Sequence, residues 1–267
     1  MHNQPTAVVT GGASGLGASF VRTLSERGFT VVIADIADDA ARQLAAEVDG
    51  LAVHCDVTNA DDVEAATAAS IDTFGRLDVM INNAGIAPLP NEDRFNQAIG
   101  NQMLRVEGRF DEMTPLNVLA DLDPKEWDTM LRVHLYGTFY GCRAAARHMT
   151  PRRSGSIINI SSVLGLHPSA MAPHYSTAKA GIIALTKSSA AELAPFGIRV
   201  NAVCPGYIDT PLLAPMTDLM KAVIVSQIGM GRLGDAKEIA EMVAYLASPL
   251  SSYSSGEIIS VSGGYGS

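Results

Sequence analysis

Ala7-Val-Val-Thr10-Gly-Gly-Ala-Ser-Gly-Leu-Gly17, continued by a helical pattern to Arg27 and then by Thr30-Val-Val-Ile-Ala-Asp35, decides how the chain is read. The run from Ala7 to Thr10 predicts a strand, the glycines a turn, the pattern from about Leu16 a helix, and Thr30 to Ala34 a second strand. Glycines at a strand-to-helix turn let the backbone approach a pyrophosphate, and the helix N-terminus offers free N–H groups and the positive end of its dipole. A glycine-rich loop alone is often just a tight turn; set between a strand and a helix with a second strand behind, it points to a dinucleotide. Asp35 ends that second strand eighteen residues beyond Gly17, where a carboxylate reaches the adenosine ribose. It accepts from the 2′-OH of NAD and repels the 2′-phosphate of NADP. Gly12, Ala13, Ile36 and Ala37 bring no guanidinium to reverse that preference, so NAD is the expected cofactor.

The alternation continues outward: a helix near Asp38 to Val48, a strand Leu51 to His54, a helix Asp61 to Phe74 and a strand Leu77 to Asn82. Strand and helix repeating with short Gly or Asp turns predicts an α/β fold, a doubly wound parallel sheet with its ligand at the carboxyl ends of the strands. Asp56, after the third strand, stands where an adenine amino group is met, or is a turn residue in Cys-Asp-Val-Thr.

A chain of 267 residues, 47% apolar and 18% charged, holds one large α/β core and is not disordered. A net charge of -9 without a basic run makes nucleic acid and anionic membrane poor partners. No apolar run approaches membrane-spanning length, and the first residues do not read as a signal peptide. Cys55, Cys142 and Cys204 are odd in number and widely spaced, which fits small buried hydrophobes in a reducing cytoplasm.

The second decisive stretch runs from Ser161 to Lys179. If Tyr175 opens a helix, Lys179 lies one turn on along the same face. An ammonium about 4 Å away at an effective dielectric near 20 is worth roughly 4 kcal/mol to a phenolate, enough to bring its proton exchange toward neutral pH. Ser161 and Ser162 end the buried run Ser156-Ile-Ile-Asn-Ile160, where a hydroxyl can face that phenol. Tyr-x-x-x-Lys by itself is usually a half-buried ring and a solvated charge, so the surrounding motifs carry the argument.

Thr10-Gly-Gly-Ala-Ser-Gly-Leu-Gly17, Asp56-Val57, Asn82-Asn-Ala-Gly85, Ser162, Tyr175-x-x-x-Lys179 and Cys204-Pro-Gly-Tyr-Ile-Asp-Thr210, in this order, resemble the short-chain dehydrogenase/reductase family in its single-domain form. The resemblance spans residues 5 to about 265 and implies a Rossmann-like three-layer α/β/α domain. It implies that Gly11, Ser14, Gly15, Leu16 and Gly17 line the pyrophosphate, Asp35 the ribose, and Asp56 and Val57 the adenine. Asn83, Ala84 and Gly85 would support the cofactor and the central strand. Pro205, Gly206, the Ile208 backbone and the Thr210 hydroxyl would hold the nicotinamide end. Ser162, thirteen residues before the tyrosine, would be catalytic rather than Ser161, with Tyr175 as general base and Lys179 beside it, also on the nicotinamide ribose. No metal is called for. Association into dimers or tetramers, through helices near 124 to 148 and 175 to 194, is likewise implied by the resemblance.

Two stretches depart from the family. Residues 88–121 exceed the usual connection by about two dozen residues, which in a compact domain favours a functional role. Phe95, Met103, Leu104, Phe110 and Met113 make it too apolar for a disordered linker, and it is read as a wall of the substrate pocket, with an oligomer contact or a surface excursion as the alternative. In Trp127 to Phe139, His134 stands where the family has an asparagine that completes a proton relay with Ser, Tyr and Lys. An imidazole can donate and accept near neutrality, so His134 is expected as the fourth member; a buried histidine bonded to backbone is the alternative.

Leu212 to Ile228, rich in Leu, Met, Val and Ile, reads as a substrate loop with its helices. Leu164, Met171, Leu212, Leu213 and Met216 predict an apolar pocket. The expected activity is hydride transfer between NAD(H) and a secondary alcohol or ketone. A 3-oxoacyl thioester reductase is the alternative, although by resemblance such enzymes use NADPH. A regulatory NAD(H)-binding protein without turnover is the other. Ser262-Gly-Gly, where the family often has aspartate first, has no reading from sequence.

Overall fold

In the computed structural model, which describes residues 4–88 and 90–266, the apolar runs are strands β1 Thr6–Thr10, β2 Thr30–Asp35, β3 Leu51–His54, β4 Val79–Asn82, β5 Gly155–Ile160, β6 Ile198–Pro205 and β7 Ile258–Val261. They form one sheet in the order β3-β2-β1-β4-β5-β6-β7, every neighbouring pair parallel. The chain direction of winding reverses between β1 and β4, so their carboxyl ends open a crevice, where ligands of such sheets sit. The expected doubly wound fold is observed.

The strands are apolar throughout because both faces are covered. Ala7, Val9, Val31, Ile33, Val79 and Ile81 pack against helices α1 Gly15–Glu26 and α10 Ala236–Ala247 through Phe20, Leu24, Val243 and Leu246. Val8, Val32, Met80 and Ile157 face the other layer, where α3 Ala60–Phe74, α6 Gly137–Arg152 and α8 Pro173–Leu193 contribute Val63, Ala66, Ala145, Met149 and Leu193. Each fully buried Val, Leu or Ile here stabilises the fold by about 1.5–3 kcal/mol. The remaining helices are α2 Asp38–Val48, α4 Glu92–Val106, α5 Pro124–Leu131, α7 Val163–Leu166 and α9 Asp218–Ser226.

Two irregularities bear on the site. Between α5 and α6, residues Arg132–Tyr136 form a turn of π-helix, and the Thr138 hydroxyl donates to the His134 carbonyl at 2.7 Å. The extra residue re-aims the helix face, and such turns gather at functional sites; here it carries His134 into the interior, 2% exposed.

The other is the stretch 88–121. It contains α4, which buries no residue, and it is held chiefly to itself. Arg94 pairs with Asp121 at 2.6 Å, Asn101 exchanges two hydrogen bonds with Thr114, and Gln97 donates to the Thr114 and Pro115 carbonyls. Met103, Val106, Phe110 and Leu119 are more than half exposed.

Candidate active site

The crevice begins at the glycine loop. Gly11 and Gly15 have φ of +61° and +52°, a region that disfavours side chains. A Cβ at Gly17 would lie 2.0 Å from the Gly11 carbonyl oxygen and one at Gly11 2.7 Å from Ala84 Cα, whereas one at Gly15 would meet only Thr210 Cβ, at 3.9 Å. Gly11 and Gly17 are therefore needed to fold the loop, and Gly15 opens on the crevice. Ser14 makes no side-chain cap on α1, and the first turn holds no acidic residue. The N–H groups there, Leu16 and Gly17 among them, suit an anion that protein atoms do not supply, so the donor set fits a dinucleotide phosphate.

Asn83 knits this loop to β4. Its Nδ2 donates to the Thr10 and Gly11 carbonyls at 3.0 and 2.9 Å, and the Thr10 hydroxyl accepts from the N–H groups of Asn83 and Ala84. Asp35 lies on the far side. Its carboxylate accepts from Ala13 N at 2.9 Å and Ala37 N at 2.9 Å, which fixes it against the loop while each oxygen keeps a lone pair for a ribose hydroxyl. Asp56 caps its own turn, accepting from the N–H and hydroxyl of Thr58, and Val57 packs under Gly137.

Ser162, Tyr175 and Lys179 converge at the carboxyl end of β5. Ser162, two residues beyond the strand, accepts from Leu164 N at 3.1 Å and so starts α7. Gly165 lets α7 press on α8, since a Cβ there would be 2.8 Å from Ser161 Oγ and 2.9 Å from Lys179 carbonyl carbon. Ser161 donates to the Lys179 carbonyl at 2.8 Å, a packing role, and leaves Ser162 to hydrogen-bond with the Tyr175 phenol. Lys179, 4% exposed, has Nζ 5.6 Å from the centroid of the Tyr175 ring and donates to the Ile160 carbonyl at 2.8 Å.

Burial dominates the electrostatics of both groups. Burial pushes the Tyr175 phenol up to about 12, opposed only by the Ser162 hydrogen bond, and it brings Lys179 down to about 7. Lys179 gives one of its three protons to the Ile160 carbonyl, and burial is the larger influence at the phenol.

His134 completes the wall. Its Nε2 is within hydrogen-bond distance of both groups of Ile86, 2.9 Å from the carbonyl oxygen and 3.1 Å from the N–H. Either neutral tautomer therefore has a partner on the same residue, while Nδ1 is buried without one. Burial, and then the Lys179 charge, hold the imidazole well below its ordinary value and hence neutral. Its edge meets the Tyr175 ring at 5.2 Å between centroids, and a Cβ at Gly85 would be 2.4 Å from His134 Cε1. The backbone partner is the one the alternative reading named; Ile86 carried no signal in the sequence.

On the opposite side, β6 ends at Pro205 and Gly206, where a Cβ would be 2.7 Å from Ser262 Cα. Ile208 bridges Gly234, with Tyr207 and Asp209 making the two bonds, so its own N–H and carbonyl face the other way; the Thr210 hydroxyl donates to that carbonyl at 3.4 Å. Of the expected pocket residues, Leu213 is buried, Leu164, Met171 and Met216 are half-buried, and Leu212 is 45% exposed. Leu116 to Ala120 and Ala170 line a hollow of about 470 Å³, which brings the return of the 88–121 stretch beside Met171.

A family model described as short chain dehydrogenase matches residues 5–220. A cis-4-hydroxycyclohexanecarboxylate dehydrogenase from Sinomonas cyclohexanicum is 41% identical over 263 residues, 97% of this chain and 95% of that one. A 3-oxoacyl-[acyl-carrier-protein] reductase from Thermotoga maritima is 32% identical over 96% of each chain. The crystal structure of a short-chain type dehydrogenase/reductase from Mycobacterium marinum aligns with a TM-score of 0.84 at 32% identity, covering 98% of this chain and 95% of that one.

Proposed function

The chain belongs to the short-chain dehydrogenase/reductase family, and from that premise we propose that it interconverts a secondary alcohol and a ketone with NAD(H), the alcohol carried on an alicyclic ring. The observation that carries this reading is the convergence of Ser162, Tyr175 and Lys179 at the carboxyl end of β5, beside a glycine loop suited to phosphate.

The roles follow from the donors and acceptors available. Ser162 donates to the substrate oxygen and stabilises charge that develops on it. Tyr175 exchanges the proton of that oxygen at its phenolic Oη. Lys179 lies along the ring and supplies positive charge when the phenol gives up its proton. His134, kept neutral, holds Ile86 with Nε2 and offers Nδ1 to a water, so that it serves the relay as a fixed dipole in place of the family asparagine. Gly11, Ser14, Gly15, Leu16 and Gly17 would hold the pyrophosphate, Asp35 the ribose, Asp56 and Val57 the adenine, Asn83 to Gly85 the cofactor and the central strand, and Pro205, Gly206, Ile208 and Thr210 the carboxamide end. When bound, the nicotinamide supplies the acceptor or donor of the hydride.

Asp35 supports NAD over NADP, because a preorganised carboxylate at the ribose repels a phosphate. The same point weighs against a 3-oxoacyl thioester reductase. The relative from Sinomonas cyclohexanicum, named for a hydroxycyclohexanecarboxylate, supports a ring substrate between Leu164, Met171, Leu213 and Met216, with Leu116 to Ala120 extending the wall and Leu212 at the mouth. The half-exposed Tyr136 and Phe139 on the α5–α6 surface support association into dimers or tetramers. No helix among the described residues is long and apolar enough to cross a membrane; a cytoplasmic setting is part of the proposal.

The test is NADH absorbance across a panel of cyclic and acyclic secondary alcohols, each with NAD and with NADP. Turnover with NAD that Tyr175→Phe abolishes while NAD still binds is the expected result. Undiminished turnover by that variant refutes the mechanism, and NAD binding without turnover of any alcohol or ketone would identify a sensor.

A further inference from the structure

β7 ends at Val261, paired with Pro205 at the end of β6, so the chain leaves the sheet on the same edge as the active site. Ser262-Gly-Gly-Tyr-Gly266 then turns back over that edge. Gly263, Gly264 and Gly266 have φ of +64°, +84° and +75°, a conformation that a side chain resists. The Gly263 carbonyl accepts from Met230 N at 2.9 Å, and Gly266 lies so close to His167 that a Cβ would stand 2.7 Å from Cδ2. The tail thereby touches the loop before α8, at His167, and the turn after α9, at Met230.

Within this strap, Tyr265 sets its ring edge-on to that of Tyr207, with centroids 5.2 Å apart and planes at 72°. Burial, and then the neighbouring phenols of Tyr265 and Tyr175, push the Tyr207 phenol up, so that it stays protonated. Each phenol has a proton to give. Leu164, Met171, Leu212, Leu213 and Met216, the side chains expected around the reacting carbon, cannot donate a strong hydrogen bond. An apolar pocket with one polar end fixes which way a substrate lies.

We infer that the Tyr207 and Tyr265 phenols are the polar end of the substrate pocket and donate to an acceptor oxygen that the substrate carries away from its reacting carbon. A carboxylate suits them best, since a hydrogen bond to a charged acceptor is stronger than one to a neutral carbonyl. The pair is a specificity device and takes no part in the proton transfer at Tyr175. The inference rests on the secondary-alcohol reading of the same site.

Steady-state oxidation of 4-hydroxycyclohexanecarboxylate, its methyl ester and cyclohexanol by the full chain, Tyr207→Phe and Tyr265→Phe tests it. The ratio of kcat/KM for the carboxylate to that for cyclohexanol is expected to fall about tenfold in either variant, and the ratio for the ester by less. An unchanged ratio overturns the inference. If the full chain oxidises none of the three, the secondary-alcohol reading fails for this class, and binding of cyclohexanecarboxylate in the presence of NAD, followed by calorimetry, decides the anchor on its own. Weakening by about tenfold in Tyr265→Phe sustains it. Equal binding by full chain and variant, or none by either, overturns it. Unchanged circular dichroism and melting of the variants secure the comparison.

Discussion

His134 and Tyr175 meet edge to face, their ring centroids 5.2 Å apart and their planes at 84°. The contact joins a π-helical turn to α8 and, through Ile86, to the end of β4. Three separately encoded elements therefore position one phenol. Held neutral by burial, the histidine meets that phenol by shape and not by charge.

Gly85 is the counterpart of His134. A Cβ at Gly85 would fall 2.4 Å from Cε1 and 3.0 Å from Nδ1 of the imidazole, so Gly85→Ala should destabilise by about 1–3 kcal/mol through overpacking. His134→Ala opens a cavity and should cost about 2–4 kcal/mol. In the double variant the new methyl occupies the vacated space, so the loss measured by urea unfolding should be smaller than the sum by at least about 1 kcal/mol. Strict additivity would mean that the ring already yields to the methyl.

The buried imidazole also leaves a signature in stability against pH. Burial and Lys179 hold His134 well below its ordinary 6.5, so below about pH 6.5 the unfolded chain binds one proton more than the folded one. Its contribution is complete above that pH and is lost as the pH falls, with a slope approaching about 1.4 kcal/mol per unit. His134→Asn should show a pH slope smaller by one proton between pH 6.5 and 5. His174, which burial also lowers, is common to both proteins and cancels. Identical slopes would place a charged imidazole at this position in the folded state.

The sheet and the convergence of Ser162, Tyr175 and Lys179 were legible because their signals are local: strand, glycine turn and helix recur in order, and Tyr175 and Lys179 are one turn apart. Their electrostatics were not. Whether Lys179 lowers the phenol depends on how much water both groups lose and on where the lysine proton points, and Ile160 is nineteen residues from the lysine it accepts from. Asp35 was readable as a candidate for the ribose, but its bond to Ala13 appears only when the loop folds back. Tyr265 was invisible, since nothing in a C-terminal Gly-Gly-Tyr-Gly says which ring it will meet, and the polar seams that tie α4 to residues 114–121 follow no periodicity.

Lys179 is a cost to the fold that the proposed function explains. Burial brings it from 10.5 to about 7, so between those values the unfolded chain holds the extra proton and stability rises with pH, the penalty being largest below pH 7. Lys179→Met removes the penalty and leaves the Ile160 carbonyl without its donor, at about 1 kcal/mol. The variant should lose activity yet unfold at no lower denaturant concentration at pH 6. Its gain in stability from pH 7 to 9 should be smaller than that of the parent by about 2 kcal/mol. The same gain in both proteins would mean that the lysine reaches water in the folded state.

Asp35 carries two duties that one substitution separates. Asp35→Asn keeps an acceptor for Ala13 N, which Asp35 engages at 2.9 Å, and removes the charge at the proposed ribose site. Like charges brought together cost several kcal/mol, so kcat/KM for NADP relative to NAD should rise at least about tenfold, while Asp35→Ala should also raise KM for NAD by loosening the loop. A preference unmoved by Asp35→Asn would assign the discrimination to another residue.

The stretch 88–121 offers a test in which fold and function come apart. Because α4 buries no residue and is tied chiefly to residues 114, 115 and 121, removing Leu89 to Asn117 takes away an element together with most of its partners. The melting temperature should change by only a few degrees, about 1 kcal/mol or less. The hollow lined by Leu116 to Ala120 and Ala170 would open on the side of Met171, so KM for bulky apolar alcohols should rise about tenfold as buried contact area is lost, with KM for NAD little altered. KM values unchanged across the alcohol panel would remove this stretch from the pocket. A lower state of association at the same KM would make it an interface between copies of the chain.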